Sequence, residues 1–330
     1  MKTKLTEMFG IEYPIVQSGM RVASRAAARL TAVCNAGGIG TINVTCWPTL
    51  DEFADALDEM NSLTNKPYIV NISLAPTQRL DNEEIRKTIR LCGEKHVAAI
   101  ETSAEDPREF IADIKSAGMR HFHKCPNYKV SMSMERKGLD GVIIAGYEVG
   151  GHPSADGVGT FVIARRCAAD MKIRSSPPAA SPDGHGLAAA LALGASGVAM
   201  GTRFVCVDEC PISDNHRQWV INHTERDTVL CQKTIGSMMR VSKNNASCSP
   251  TRSRTAACAP AGPDGHPQGA DARHHRPEDP RSLPGRQCRQ RDLLRRHGMG
   301  LVHDVVPVKV LLDRMVKEAE ETINSIKASF

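Results

Sequence analysis

Short apolar, β-branched runs alternate with amphipathic stretches over the first two hundred residues of the chain. The apolar runs predict strands at 14–19, 39–42, 68–73, 98–102, 121–125, 141–146 and 197–202. The stretches between them have helical spacing near 24–35, 50–61, 82–95, 107–117, 128–138, 160–171 and 186–194. Such alternation is typical of βα units built on a parallel sheet.

One strand is missing from this series. The sequence MKIRSSPPAASPDGHG follows the helix ending near 171, and its adjacent prolines, Pro177 and Pro178, suit no interior strand. The spacing nevertheless requires a seventh strand there, and a short shift of reading frame over 174–182 would explain its abnormal composition. With that strand the count is eight, which predicts a closed (β/α)8 TIM barrel of class α/β. An open, doubly wound sheet is the alternative.

Beyond the barrel the pattern changes. Residues 207–246 show helical stretches without strands, which predicts a small, mostly helical cap domain. Residues 308–328 carry an apolar stripe at helical spacing, so a C-terminal helix is expected to dock on the barrel. We therefore divide the chain into a barrel at 1–206, a cap at 207–302 and a C-terminal helical segment at 303–330.

The net charge of +5 is concentrated in one segment. Residues 247–297 hold ten arginines, five acidic residues and seven prolines, and they contain no Ile, Val, Met, Phe, Tyr or Trp. One hypothesis is a basic, disordered arm, whose lack of aromatic residues would limit it to nonspecific phosphate contacts. The other, which we favour, is that this stretch is translated out of frame, because ordinary patterning resumes abruptly after it.

The overall composition is that of a globular protein. Hydrophobic residues make up 41% of the chain and charged residues 24%, which is ordinary for a globular protein. No run of eighteen apolar residues occurs, and the amino terminus lacks the apolar stretch of a signal peptide. We therefore predict a cytoplasmic protein without a membrane span, whose eleven cysteines are reduced thiols.

Candidate chemistry lies at the predicted carboxyl ends of the strands, where barrel enzymes place their active sites. Glycines, amides and one lysine there suit a planar, phosphorylated cofactor that approaches the backbone closely. Gly184 and Gly186 are expected to offer backbone amides to the phosphate, unless they only form tight turns. His152 is the candidate base or hydrogen-bond donor. The alternatives are a surface histidine and, for Lys124, an ordinary solvated lysine. The set Cys206, Cys210, His216 and His223 matches no common zinc spacing, so no metal site is predicted.

Several motifs together resemble the nitronate monooxygenase family, formerly called 2-nitropropane dioxygenases. They are YPIVQSGM, NAGGIGTI, HKC, GYEVGGHP, DGHGLAAALALGASGVAMGTRF and ERDT. The resemblance implies an FMN-containing TIM barrel in which His152 is the active-site histidine. The cofactor-binding residues that we carry over, or place beside the motifs, are Ser18, Gly19, Met20, Asn71, Lys124, Ala145, Gly150, Gly151, Ala179, Ala180, Gly201 and Thr202.

Two positions depart from the family pattern. Ala179 and Ala180 stand where the family has a glycine pair at the FMN phosphate, and Ser18 replaces the first glycine of GGM. The resemblance implies oxidation of an alkyl nitronate with O2 to a carbonyl compound and nitrite. The alternatives are NAD(P)H-dependent flavin oxidoreductases of the quinone reductase or enoyl-ACP reductase type, and an inactive family member. The expected partners are small molecules, with no specific nucleic acid and no membrane; a homodimer is one option for the assembly.

Overall fold

A computed structural model describes residues 1–20, 27–75, 80–173, 182–231, 238–243 and 297–329. Seven parallel strands form one sheet in the order β6-β5-β4-β3-β2-β1-β7. Their bounds are β1 (Ile15–Gln17), β2 (Ile39–Asn43), β3 (Ile69–Ser73), β4 (Ala99–Ser103), β5 (Arg120–Cys125), β6 (Gly141–Ile144) and β7 (Val198–Met200).

The sheet curls into a nearly closed barrel. In β1, Val16 is aligned with Ile39 of β2 on one side and with Ala199 of β7 on the other. The first and last described strands of the series are therefore neighbours, which confirms the predicted TIM-barrel fold. The strand predicted at 174–182 falls between the two ends of the sheet, β6 and β7, and lies almost wholly outside the described residues.

Helices follow the strands at nearly the predicted positions. The fourth helix shows how local sequence starts one: the Asp81 carboxylate accepts the Glu84 N–H at 2.8 Å, and the Glu84 carboxylate accepts the Asp81 N–H at 2.9 Å. The helices are α1 (Lys4–Phe9), α2 (Ala27–Asn35), α3 (Leu50–Leu63), α4 (Asn82–Glu94), α5 (Ile111–Ser116), α6 (Tyr128–Arg136), α7 (Thr160–Asp170), α8 (Gly184–Ala192), α9 (Asp214–Ile221) and α10 (Val308–Ala328).

Apolar side chains fill both faces of the sheet. The outer face packs against the apolar stripes of the helices, for example Phe53 and Leu57 of α3. Inside the barrel, one layer of side chains closes the amino-terminal half of the lumen, and Phe9 of α1 stacks on Phe122 beneath it, with ring centroids 5.7 Å apart. The layer consists of Val16, Ile39, Ile69, Ala99, Phe122, Ile143 and Ala199. The described amino-terminal half of the barrel is thus a packed apolar core, and barrels of this kind place their chemistry at the carboxyl end.

The segment after the barrel contains a strand pair that the sequence pattern did not predict. Strands β8 (Thr228–Cys231) and β9 (Met239–Ser242) pair antiparallel, so the expectation of helices alone over 207–246 is wrong at this point. These short strands also contact the barrel, where Arg240 forms an isolated antiparallel bridge with Gly151. This bridge joins residues about ninety positions apart, so it leaves no local signal in the sequence.

The C-terminal helix α10 packs on α8 and α2 through Leu311, Leu312 and Met315. Within the described ranges, no helix combines the length and apolar character needed to cross a bilayer.

Candidate active site

A second layer of inward side chains lies above the apolar one. Side chains alternate between the two faces of a strand, so the residue two positions after each apolar lumen residue also faces inward. We call this layer the mouth ring, and it consists of Ser18, Thr41, Asn71, Glu101, Lys124, Ala145 and Gly201. Five of the seven are predicted cofactor residues. Thr41 and Glu101 are not among the predictions.

Glu101 is the centre of the polar contacts in the mouth ring. Its side chain is 0% exposed, and its Oε1 lies 2.8 Å from the Lys124 Nζ. The same oxygen accepts a hydrogen bond from the Asn71 Nδ2 at 2.7 Å, and Asn71 also donates to the Glu101 backbone carbonyl at 3.2 Å. Lys124 is therefore not an ordinary solvated lysine. Its ammonium is paired with a carboxylate inside the barrel.

Three buried oxygens of the mouth ring have no hydrogen-bond partner among the described residues. They are the Ser18 Oγ, the Thr41 Oγ1 and the Glu101 Oε2. Buried polar atoms in proteins are nearly always paired with protein, water or ligand. Their position on three strands at the open end of the barrel therefore indicates a polar ligand or ordered water at the mouth.

The loops after β1 and β7 meet over the mouth ring. A Cβ at Gly19 would stand 3.0 Å from the Asn71 Cβ, and a Cβ at Gly201 would stand 3.4 Å from the Met20 Sδ. Gly19 thus lies directly against Asn71, while Met20 covers the end of β7. Thr202 is buried and begins a short 3-10 helix. The structure thereby brings together predicted cofactor residues from three strands, β1, β3 and β7.

His152 stands on a loop held from both sides. Gly151 adopts φ 82°, which favours glycine, and it exchanges two backbone hydrogen bonds with Arg240, at 3.2 and 2.7 Å. The buried Arg240 side chain also donates to the Tyr147 carbonyl at 3.1 Å. The hairpin therefore fixes the backbone that carries His152. The imidazole itself is exposed on the surface, yet the protein around it desolvates the ring enough to lower its pKa.

The same loop is anchored at its other end by Glu148. This carboxylate accepts the Thr160 N–H at 2.9 Å and the Thr160 hydroxyl at 2.8 Å, which caps the start of α7. Gly146 is required by packing, because a Cβ there would lie 2.4 Å from the Thr160 nitrogen. Gly150 lies between these two anchors.

The glycines at the start of α8 do not have the predicted role. The Gly184 N–H donates to the Glu318 Oε2 at 2.9 Å, and the Gly186 N–H donates to the Asp183 Oδ1 at 2.9 Å. A Cβ at Gly184 would stand 2.3 Å from the Met315 carbonyl oxygen of α10. These amides are therefore occupied by carboxylates of the protein, and Gly184 is a packing glycine. Ala179 and Ala180, the other predicted phosphate positions, lie outside the described residues.

The residues considered for zinc do not assemble. The described ranges contain no group of three or more His, Cys, Asp or Glu side chains that could hold a metal ion. Cys206 and Cys210 are buried and form no disulfide with another described residue, and His223 stacks on Trp219 with ring centroids 4.1 Å apart.

Comparison with known proteins settles the family. The sequence profile of nitronate monooxygenase matches residues 2–262. This chain belongs to the nitronate monooxygenase family. A nitronate monooxygenase of Paraburkholderia phytofirmans is 28% identical to this chain in an alignment of 284 residues. The alignment covers 74% of this chain and 77% of that protein.

Two further similarities bear on the chemistry. The (3aS,4S,5R,7aS)-5-hydroxy-7a-methyl-1-oxo-octahydro-1H-indene-4-carboxyl-CoA dehydrogenase of Rhodococcus jostii is 33% identical over 242 residues, covering 73% of this chain and 65% of that protein. This chain thus spans just under two thirds of that relative's length. The solved structure of FabK from Thermotoga maritima is similar with a TM-score of 0.81 at 25% identity, covering 100% of both chains.

Glu101 and Arg240 are the important site residues that sequence reasoning missed. Glu101 lies inside the run AIETS, where one acidic residue in a strand suggests a solvated edge. The signal that could have found Glu101 is its position two residues after Ala99. Both side chains lie on the same face of the strand, so the carboxylate faces the lumen. Arg240 had no such signal, since its partners come from a distant loop.

Proposed function

We propose that this chain is an FMN-dependent oxidoreductase that oxidises alkyl nitronates with O2 to a carbonyl compound and nitrite. The observation that carries the proposal is the mouth ring, in which three buried side-chain oxygens lack partners among the described residues. Membership of the nitronate monooxygenase family supports the choice of reaction.

The residues of the mouth fit a planar cofactor with a polar edge. Gly19, Ala145 and Gly201 leave room because none has a side chain larger than a methyl group. Ser18, Asn71 and Lys124 would hold the polar edge through hydroxyl, amide and ammonium groups, while Met20, Gly150, Gly151 and Thr202 would line the rim. FMN bound there would supply two-electron oxidation and the reaction with O2.

His152 would handle the substrate proton and orient the substrate. Desolvation lowers the pKa of its imidazole below the ordinary 6.5, so the ring is neutral at pH 7. A neutral imidazole offers one acceptor nitrogen and one N–H donor. It can therefore donate a hydrogen bond to a nitro oxygen of the nitronate, or accept the α-carbon proton of the corresponding neutral nitroalkane, without first losing a proton.

A second candidate function follows from the Rhodococcus relative, whose name specifies a carboxyl-CoA dehydrogenase. In this alternative the chain transfers electrons between a thioester substrate or NAD(P)H and the same cofactor. The mouth ring serves both candidates, because each needs the cofactor in the same place. The electron donor that reduces the cofactor distinguishes them.

The test is an anaerobic reduction experiment on the purified full chain loaded with FMN. We expect propyl-2-nitronate to bleach the visible flavin band, and oxygen to restore it with release of nitrite. Reduction by NADH but not by the nitronate would support the second candidate and overturn the first. In a separate sample, purified without added flavin, release of the bound cofactor by heat and its chromatography distinguish FMN from FAD.

The role of His152 is tested by the variant His152→Asn. We expect turnover with the neutral nitroalkane 2-nitropropane to fall by about a hundredfold or more, because removal of its α-carbon proton by a positioned side chain contributes about 10²–10⁴. Turnover with the nitronate, which has already lost that proton, should fall less. Flavin content should stay unchanged. The matched control is His303→Asn, which removes another exposed histidine. Equal turnover in the two variants would remove His152 from the mechanism.

A further inference from the structure

Glu101 occupies a position where stability alone would favour an apolar residue. The layer below it is apolar throughout, and the carboxylate is completely enclosed. Bringing a carboxylate and an ammonium into a protein interior costs desolvation, and apolar replacements of such pairs are often as stable or more stable. A role in stability therefore explains the ion pair poorly. Lys124 keeps 26% of its side chain exposed at the mouth, which instead suggests a role in binding a ligand there.

The carboxylate determines how Asn71 lies. An ionised carboxylate can only accept hydrogen bonds, so the Asn71 side chain must turn its NH2 group towards the Glu101 Oε1. The amide oxygen of Asn71 is then the atom that remains for another partner. A neutral amide in place of the Glu101 carboxylate could donate or accept. Only the longer hydrogen bond to the Glu101 backbone carbonyl, at 3.2 Å, would then still favour this orientation of Asn71.

The carboxylate also determines where the Lys124 ammonium lies. One N–H of Lys124 is directed at Glu101, at an Nζ–Oε1 distance of 2.8 Å. A lysine side chain has four rotatable bonds and no preferred direction of its own. Pairing with an enclosed carboxylate therefore fixes the ammonium beside Asn71, with its other N–H donors available at the mouth.

We infer that Glu101 is a positioning residue, which orients Asn71 as an acceptor and Lys124 as an adjacent donor for one ligand edge. An acceptor beside a donor complements an imide edge, in which an N–H stands next to a carbonyl oxygen. A flavin ring carries such an edge at N3 and its neighbouring carbonyls. The inference rests on the proposed function for the identity of the ligand, but the placement of the two side chains does not depend on it.

The first test measures ligand recognition. The full-length apoprotein is titrated with FMN and with 3-methyl-FMN, whose methylated N3 cannot donate to Asn71, and quenching of flavin fluorescence gives both dissociation constants. We expect the wild type to prefer FMN by at least about tenfold, as loss of a hydrogen bond within a charged network predicts. In Glu101→Gln the FMN affinity and this preference should both fall. An unchanged preference in Glu101→Gln would overturn the inference.

The second test needs no ligand. Mild acetylation with peptide mapping gives the reaction rate of each lysine in the folded chain. Glu101→Gln should raise the rate at Lys124 severalfold and leave Lys95 unchanged. The matched control, Asp58→Asn, removes the carboxylate that pairs with Lys95 at 2.6 Å and should raise only the Lys95 rate. An unchanged Lys124 rate in Glu101→Gln overturns the inference.

The two tests separate the possible failures. If no form of the protein binds FMN, the proposed function is wrong, and the acetylation rates alone decide whether Glu101 positions Lys124. If Glu101→Gln fails to fold, the double variant Glu101→Gln, Lys124→Met removes both charges together. That variant should fold and bind FMN without the preference over 3-methyl-FMN; retention of the preference would contradict the inference.

Discussion

Two buried histidines should make the barrel sensitive to mild acid. His121 and His123 lie on β5, and the ring nitrogens Nε2 of His121 and Nδ1 of His123 each lie 2.9 Å from the Thr102 hydroxyl oxygen. Burial lowers the pKa of His121 from 6.5 to about 3 and that of His123 from 6.5 to about 4. The Nδ1 of His121 has no hydrogen-bond partner among the described residues, so a proton placed there would have no acceptor.

The direction of the effect follows from linkage. Both folded-state pKa values lie below the unfolded value, so the unfolded chain binds more protons below pH 6.5. The stability contributed by the neutral rings is therefore fully present above pH 6.5 and is lost as the pH falls towards 4 and 3. At pH 5 each histidine lowers the free energy of unfolding by about 2 kcal/mol relative to neutral pH, which makes about 4 kcal/mol for the pair.

The assay is urea unfolding followed by circular dichroism at pH 7.5, 6 and 5. We expect the free energy of unfolding of the wild type to fall by about 4 kcal/mol between the first and last pH. In the double variant His121→Gln, His123→Asn, neutral amides can occupy the places of the bonded ring nitrogens, and most of the pH dependence should disappear. Equal pH dependence in the two proteins would refute the assignment of neutral, buried histidines.

Three more predictions concern the loop of His152, the start of α8 and the alanine pair at 179 and 180. Arg240→Met should lower turnover by about tenfold or more while FMN affinity is retained, because it removes the guanidinium that holds the Tyr147 carbonyl in the loop before His152; steady-state rates and FMN titration together check this. Gly184→Ala should destabilise the fold by about 3 kcal/mol in urea unfolding, since its Cβ would overlap the Met315 carbonyl. The double variant Ala179→Gly, Ala180→Gly should raise the FMN content of the purified protein. An unchanged FMN content would mean that the FMN phosphate is bound at other residues.

Much of the barrel was predictable because its signals are local. Most strands of the barrel are short apolar runs, such as Ile69–Ser73, and capping residues such as Asp81 mark where helices begin. Side-chain alternation also places Asn71 and Lys124 inward from sequence alone. These features depend on neighbours within a few positions of the chain, which a sequence displays directly.

The contacts that build the candidate site are not local. Lys124 meets Glu101 only because adjacent strands lie side by side in the barrel, and the sequence alone made Lys124 look like a solvated lysine. The bridge between Arg240 and Gly151 escaped prediction because it joins residues that are distant in the sequence. The sequence suggested that Gly184 binds phosphate. The structure shows that a glycine is needed there because α10, which is distant in the sequence, approaches the backbone closely.

The central claim is that the polar mouth of this barrel holds one FMN. Equilibrium titration of the purified full chain with FMN, followed by fluorescence quenching and by the visible spectrum, tests it most directly. We predict saturation at one FMN per chain and a perturbed flavin band, with much weaker binding in Asn71→Leu. A chain that leaves FMN fluorescence unquenched, or that binds it equally well in Asn71→Leu, would contradict the claim.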